Sequence, residues 1–389
     1  MSLTFLTSGE SHGPGLLAIL EGIPAGLPVI AEVINRELAR RQRGYGTGPR
    51  MMLEKDEVEI MGGVMEGVTT GAPLGLWIEN HDHKKWKGQA IKPFTVPRPG
   101  HADLVGAIKY GYHDLRPALE RASARETTAR VAVGAICKLL LDQFGIQVGG
   151  YVAAIGEIQA ELGDIPLSER ARLAEETEVR CPSKQYAELM QDCIRKVIED
   201  RDTLGGIIEV FVIGAPPGLG SYAHWEKRLD ARLAAAVMSI QAIKGVEIGS
   251  AFANSRLPGS QAQDGIYKQE GRLVRKTNFS GGLEAGVTTG EPILIRAAMK
   301  PIATTLTPQH SVDLVSHEEV DTQYERSDFC PVPRAVPILE SMVAFVVADA
   351  LIQKVGGDSV QEIKPRIESL RGAKFTDLQI NGNHTIFWE

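Results

Sequence analysis

Gly22-Ile23-Pro24-Ala25-Gly26-Leu27 returns later in the chain as Gly214-Ala215-Pro216-Pro217-Gly218-Leu219. Thr69-Thr70-Gly71-Ala72-Pro73-Leu74 returns as Thr288-Thr289-Gly290-Glu291-Pro292-Ile293, in the same order. Helical patterns follow the first motif of each pair (Ala31–Arg41; Trp225–Ile243) and the second (Leu115–Gln143; Val336–Val355). β-rich runs at Val58–Met61, Leu74–Ile78, Gln147–Ile155, Gly206–Ile213 and Pro292–Ala297 read as strands. The expectation is an α+β fold built of two matched halves, about 1–150 and 202–360, packed as one unit over 1–389. Residues 157–201 break the echo with two polar helical patterns, Ser168–Thr177 and Ser183–Asp200. They are expected as a surface insertion without catalytic residues.

Working outward, the 389 residues are 43% apolar and 23% charged, which suits a globular chain with a sizeable core and excludes disorder, collagen and coiled coil. Apolar stretches such as Arg130–Gln143 and Met342–Ile352 are too short or too interrupted to cross a bilayer, so no membrane span is expected. Met1–Glu10 lacks the pattern of a secretion signal, which makes a cytoplasmic location the default. Cys137, Cys181, Cys193 and Cys330 are widely spaced, as for reduced, mostly buried thiols, and form no zinc pattern. A net charge of −7 disfavours nucleic acid as a partner. Yet Lys84–Arg130 holds ten Lys/Arg against four Asp/Glu, so positive charge is concentrated in a minority of the chain.

Several stretches could carry chemistry. Leu115–Gln143 opens with Asp114 as a plausible N-cap and Pro117 in the first turn. Glu126 and Arg130, four apart, can pair, whereas Arg121 and Arg125 are like charges at the same spacing, which costs about 0.2–0.5 kcal/mol unless an anion intervenes. The small residues Ser123 and Ala124 would let a flat or phosphorylated ligand reach the backbone. The loop from Arg40 to Arg50, with Arg40, Arg41, Arg43 and Arg50 among glycines, suits an anionic small molecule. A solvated basic loop is the alternative. No Walker A motif or clean GxGxxG follows a strand. His12 and His101 stand beside glycines that would let the ring approach a ligand, although most lone histidines are surface or core residues. The pair His81 and His83, beside Asp82, could suggest a metal but has no third ligand at a supportive spacing and is assigned to solvated loop, with no metal. Lys300–Thr305 and Glu325–Asp328 lie where loops could point polar groups inward, capping being the alternative for Ser327 or Asp328.

Seven motifs in order then carry a resemblance: Gly9-Glu10-Ser11-His12-Gly13, Arg98-Pro99-Gly100-His101-Ala102-Asp103, Glu120-Arg121-Ala122-Ser123-Ala124-Arg125-Glu126-Thr127, Lys244-Gly245-Val246-Glu247-Ile248-Gly249, Ser280-Gly281-Gly282, Lys300-Pro301-Ile302 and Arg326-Ser327-Asp328. The chain resembles the chorismate synthase family over almost its whole length, least in 157–201 and after Ile363. The resemblance implies a β-α-β sandwich with helices between antiparallel-rich sheets, in a homotetramer. It implies a lyase that converts 5-enolpyruvylshikimate 3-phosphate to chorismate, losing phosphate and a ring proton. Reduced FMN is the implied cofactor, lending an electron to substrate and then accepting the proton without net redox change.

Position by position, the resemblance implies that His12 protonates the departing phosphate, His101 stabilises or protonates reduced flavin, and Asp328 assists proton removal through it. Arg41, Thr47, Arg50, Arg98, Arg125 and Arg326 fall at substrate positions. Ser123, Ala124, Arg125, Gln241, Ala242, Ala285, Gly286, Lys300, Pro301, Ile302, Ala303, Thr304 and Arg326 fall at FMN positions. Thr47 stands where many relatives have Arg, so Arg43 or Arg50 compensates or affinity is lower. Ala285 replaces a common glycine, a small change if its φ is negative, and Ala303 replaces a common proline. Some relatives reduce their own flavin with NADPH. This chain has no appended reductase module and no Rossmann fingerprint, so an external reductant is expected. The competing readings are a flavin oxidoreductase with net electron transfer and a non-enzymatic anion-binding protein.

Overall fold

The computed structural model describes residues 2–47, 55–323, 327–370 and 372–384. Two antiparallel sheets flank a layer of helices. The first runs in spatial order Thr4–Ser8, Gly15–Glu21, Leu74–Glu79, Val58–Gly62. The second runs Gln147–Ile155, Gly206–Ile213, Ile293–Met299, Ile243–Ile248, with Ile158–Gln159 added outside Gln147–Ile155. Apart from that added strand, the two orders match. Gln147–Ile155, whose beginning falls inside the expected first half, pairs only within the second sheet.

The repeated motifs do the same work in each sheet. Thr69 Oγ1 donates to the Pro24 carbonyl (2.6 Å) and accepts from the Leu27 N–H (2.9 Å). Thr288 Oγ1 donates to the Pro216 carbonyl (2.7 Å) and accepts from the Leu219 N–H (2.8 Å). Both threonines are buried, so each satisfied bond contributes about 0.5–1.5 kcal/mol and its loss would strand a backbone group. Beside each lies a tight hairpin with positive φ at both central residues, Glu66 (50°) and Gly67 (77°) in one, Ala285 (49°) and Gly286 (79°) in the other. The condition for a harmless exchange at Ala285, a negative φ, is therefore not met: its backbone lies in the left-handed region, which is strained for alanine.

Between the sheets, Thr127–Asp142 packs against the first and Val332–Val355 against the second, and the two helices pack on one another. Gly134 makes that crossing possible, because a Cβ there would come within 2.1 Å of the Ser341 Cβ. Val332–Val355 is apolar enough over 24 residues to span a bilayer by length, more than the interrupted Met342–Ile352 run suggested. It lies inside the protein, with 94% of its most apolar window buried. Its Glu340 is buried too, accepting from Arg40 (2.7 Å) and Lys138 (2.6 Å). Burial works to raise this carboxyl, but the two cations outweigh it and hold the group below its ordinary value.

Three sequence expectations change. The pattern 115–143 is two helices, Arg116–Ala122 and Thr127–Asp142, separated where Ser123 takes extended angles (φ −60°, ψ 141°) and a short 3-10 turn, Ala124–Glu126, follows. Asp114 still accepts from the Arg116 N–H (2.8 Å). The pattern 225–243 is a helix only over Leu229–Met238. The chain then reverses through Ala242 (φ 66°) into the strand Ile243–Ile248. The segment 157–201 is no mere surface insertion. Its helix Lys184–Glu199 buries Ala187, Met190 and Ile194, and the buried Arg180 donates to the carbonyls of Arg40, Arg43 and Pro333. The Pro333 carbonyl needs this donor because Pro337, four residues on, has no N–H.

Candidate active site

Where both sheets' loops meet the broken helix, a cavity of about 530 Å³ opens, within the size range of small-molecule sites. Its walls come from remote stretches. The turn between Thr4–Ser8 and Gly15–Glu21 supplies Ser11 and His12. The His12 ring Nδ1 meets Glu120 Oε1 at 2.7 Å, and the His12 backbone N–H donates to Glu120 Oε2 at 2.8 Å. The His12 carbonyl faces His83 Nδ1 (2.9 Å), and the Trp86 ring lies 4.5 Å away, centroid to centroid, at 45°. Burial would raise the Glu120 carboxyl, yet the bonds from His12 hold it below its ordinary value.

Opposite stands His101, presented by a turn in which Gly100 has φ 75°. Its Nδ1 meets Asp103 Oδ1 at 2.6 Å. Asp103 is buried and also accepts from Arg98 Nε (2.8 Å), Nη2 (3.0 Å) and backbone N–H (3.0 Å). Burial pushes this carboxyl up, but His101 and Arg98 together hold it well below the carboxylate range.

The interruption at Ser123 decides where the arginines go. It turns Arg125 inward, where Nε donates to Asn80 Oδ1 (2.8 Å) and Nη1 pairs with the buried Asp56. Arg121 points away to the carbonyls of Thr7 (3.0 Å) and Gly9 (3.4 Å). The expected like-charge pair therefore does not form, while Arg130 and Glu126 do pair at 2.9 Å. Arg41, 3% exposed, reaches Thr127 Oγ1 (3.0 Å), the Ala124 carbonyl (3.0 Å) and Asp56 (3.3 Å). Burial first, and then the nearby cations Arg334 and Arg125, pull its guanidinium down to about 9 against the pull of Asp56. An anion in the cavity would relieve that deficit of negative charge.

The chorismate synthase family model matches residues 3–352. The chain is 50% identical to the chorismate synthase of Sulfurihydrogenibium sp. (strain YO3AOP1), with 95% of this chain and 98% of that protein covered. It is also 50% identical to that of Aquifex aeolicus (strain VF5), covering 94% and 96%. A solved structure described as the crystal structure of chorismate synthase superposes with a TM-score of 0.78 at 44% identity, covering 95% of this chain and 97% of that one. The chain belongs to the chorismate synthase family.

Most of the residues that the family resemblance singled out line this one cavity: His12, His101 and Asp328; Arg41, Arg98 and Arg125; Ser123, Ala124, Gln241, Ala242, Lys300, Ile302, Ala303 and Thr304. Pro301 lies within the Lys300–Thr304 stretch without forming wall, and Thr47 lies off the cavity. Ala285 and Gly286 are not there either. Their hairpin packs on Arg228 and Gly220. Arg50 and Arg326 lie outside the described residues. Sequence reasoning gave no role to Asn80, Trp86, Glu120 and Arg334, and it dismissed Asp82 and His83 as solvated loop. Arg334 lines the cavity and pairs with Asp328. No group of three or more metal-ligating side chains occurs among the described residues. The four cysteines are free, and burial pushes Cys330 up to about 12, leaving it an inert thiol.

A planar, hydrogen-bonding cofactor with an anionic tail fits what is present. Leu119, Ala122, Ile302 and Ala303 give apolar wall, and Lys300 supplies a cation beside the Gly100 carbonyl (3.0 Å). Gln241 Oε1 is buried with no hydrogen-bond partner among the described residues, an acceptor suited to a ligand N–H or O–H.

Proposed function

We infer that the protein eliminates phosphate and a ring proton from 5-enolpyruvylshikimate 3-phosphate in the anti-1,4 sense to give chorismate, as a lyase of aromatic amino-acid biosynthesis. The observation that carries this reading is the convergence of Arg41, Arg98 and Arg125 with His12 and His101 on one cavity, from stretches far apart in sequence. The substrate bears a phosphate and two carboxylates, and rigid guanidinium forks match both groups.

His12 is positioned to hand a proton to the departing phosphate. Glu120 fixes its Nδ1, which leaves Nε2 as the other transfer atom. Arg41, Arg98 and Arg125 bind and orient the anionic groups, with Arg50 and Arg326 assigned the same task on the resemblance. Asp328, tied to Arg334, takes part in removing the ring proton. His101, braced by Asp103, faces the cofactor. Reduced FMN, when bound, supplies reversible electron donation, so the reaction needs a reduced flavin yet ends with no net redox change. Ser123, Ala124, Gln241, Ala242 and Lys300–Thr304 would hold it. The reductant comes from outside the chain rather than from its own NADPH oxidation.

The working assembly is a homotetramer in the cytoplasm, its chain a single unit of two matched halves. Leu6 and Ile19 are cross-strand neighbours on the uncovered face of the first sheet and are 75% and 44% exposed, which supports association. Ala285 and Gly286, assigned to FMN but distant from the cavity within one chain, accord with it.

The deciding experiment is anaerobic. Protein, chemically reduced FMN and substrate should yield inorganic phosphate and chorismate in equal amounts, and omission of reduced flavin should abolish both. Steady loss of NADPH in proportion to product would replace this reading with an oxidoreductase.

A further inference from the structure

Asn80 follows the strand Leu74–Glu79, is 1% exposed, and stands between the turn that carries His12 and the Arg125 guanidinium. Its Nδ2 donates to the carbonyls of Gly13 (2.9 Å) and Glu10 (3.1 Å), with the Ser11 carbonyl at 3.4 Å. Its Oδ1 accepts from Arg125 Nε at 2.8 Å. Three carbonyls around one end and a guanidinium at the other fix which amide atom is which. The Asn80 backbone N–H adds a bond to the Pro14 carbonyl (3.0 Å). One side chain thus holds the turn that carries His12 and at the same time sets the azimuth of the Arg125 fork.

We propose that Asn80 is the positioning residue that couples His12 to Arg125, so that the proton donor and the anion-binding guanidinium keep one fixed relation. The proposal rests on the reading that His12 is the acid and Arg125 a substrate clamp. A carboxylate would repel the three carbonyls, an ammonium would repel Arg125, and an apolar group would strand four polar partners in a buried place.

The test is a pair of double-mutant cycles on the full chain, with two readouts. Substrate dissociation constants are measured by calorimetry on 5-enolpyruvylshikimate 3-phosphate without flavin, and kcat by phosphate release with reduced FMN. Asn80→Ala should weaken substrate binding about tenfold, the scale of one hydrogen bond to a charged group. It should lower kcat about 10²-fold, the scale of a displaced reacting group. In an Arg125→Lys background, which lacks Nε, the binding effect of Asn80→Ala should vanish. In a His12→Ala background its effect on kcat should vanish. Effects that add in both backgrounds, or wild-type constants in Asn80→Ala, overturn the coupling and leave Asn80 a general structural residue. If Asn80→Ala does not fold, Asn80→Ser carries the same two cycles under the same criteria. Wild-type behaviour of the single variants His12→Ala and Arg125→Lys would instead overturn the site reading, so the two failures are distinct.

Discussion

Two histidine–carboxylate pairs face one cavity, and they differ in what else the carboxylate holds. Among the described residues the Glu120 carboxylate receives hydrogen bonds from His12 alone, through the ring and the backbone. Asp103 is shared between His101 and the buried guanidinium of Arg98. Glu120 therefore faces its histidine with no bonded guanidinium, whereas Asp103 holds one beside its histidine. The lesson is that similar short contacts, 2.7 and 2.6 Å, suit different chemistry. The first carboxylate is left to one histidine, whereas the second keeps a ring and a buried arginine in register.

Substitutions can break or sharpen this contrast. The largest effect is expected for His12→Ala, which should slow phosphate release about 10²–10⁴-fold, the range for a general acid, while circular dichroism stays unchanged. His101→Ala should also slow turnover strongly, and equal losses in every step would erase the distinction. Asp103→Asn comes next. It should lower activity about 10²-fold by misplacing Arg98 and His101, and it should cost about 3–5 kcal/mol because a buried guanidinium loses its counter-ion. Asp103 is depressed in the folded state, so its contribution is complete above its unfolded value of 3.8 and drains away as pH falls through the folded value. Urea midpoints of wild type and Asp103→Asn should accordingly differ widely at neutral pH and converge in acid.

Smaller still, Glu120→Gln keeps a hydrogen-bonding group against His12 but removes its charge, and should lower kcat about tenfold with substrate binding unchanged. A loss in binding alone would contradict the division of labour. Arg121→Ala should change activity less than about twofold and stability by no more than about 0.5 kcal/mol, since its contacts are exposed carbonyls. A large loss there would restore the like-charge pairing with Arg125 that the break at Ser123 removes.

What the sequence disclosed follows the range over which each signal acts. The repeated turns were legible because glycine backbone angles and a threonine hydroxyl fix them locally, and the same bonds recur at Thr69 and Thr288. His12, His101 and the arginines were legible through the family motifs. The break at Ser123 was hidden because a helix start at Asp114 and Pro117 and the apolar run from Ala129 read as one helix, and tertiary bonds from Arg41 to Ala124 and Thr127 secure the offset between them. Asn80 and Trp86 carried no signal, since each matters through partners far away in sequence, Gly13 and Arg125 for the first and His12 for the second. Glu120 opens a motif that was read for its arginines. His83 looked solvated because its partner is a backbone carbonyl, which no side-chain spacing reveals.

The apolar helix Val332–Val355 has a consequence for the order of assembly during translation. Thr127–Asp142, which it covers, is polymerised about 190 residues earlier, and at roughly 5–20 residues per second the ribosome leaves that surface without its cover for tens of seconds. The nascent Thr127–Asp142 helix must wait for its far partner, so the half-built chain carries an uncovered apolar face throughout that interval.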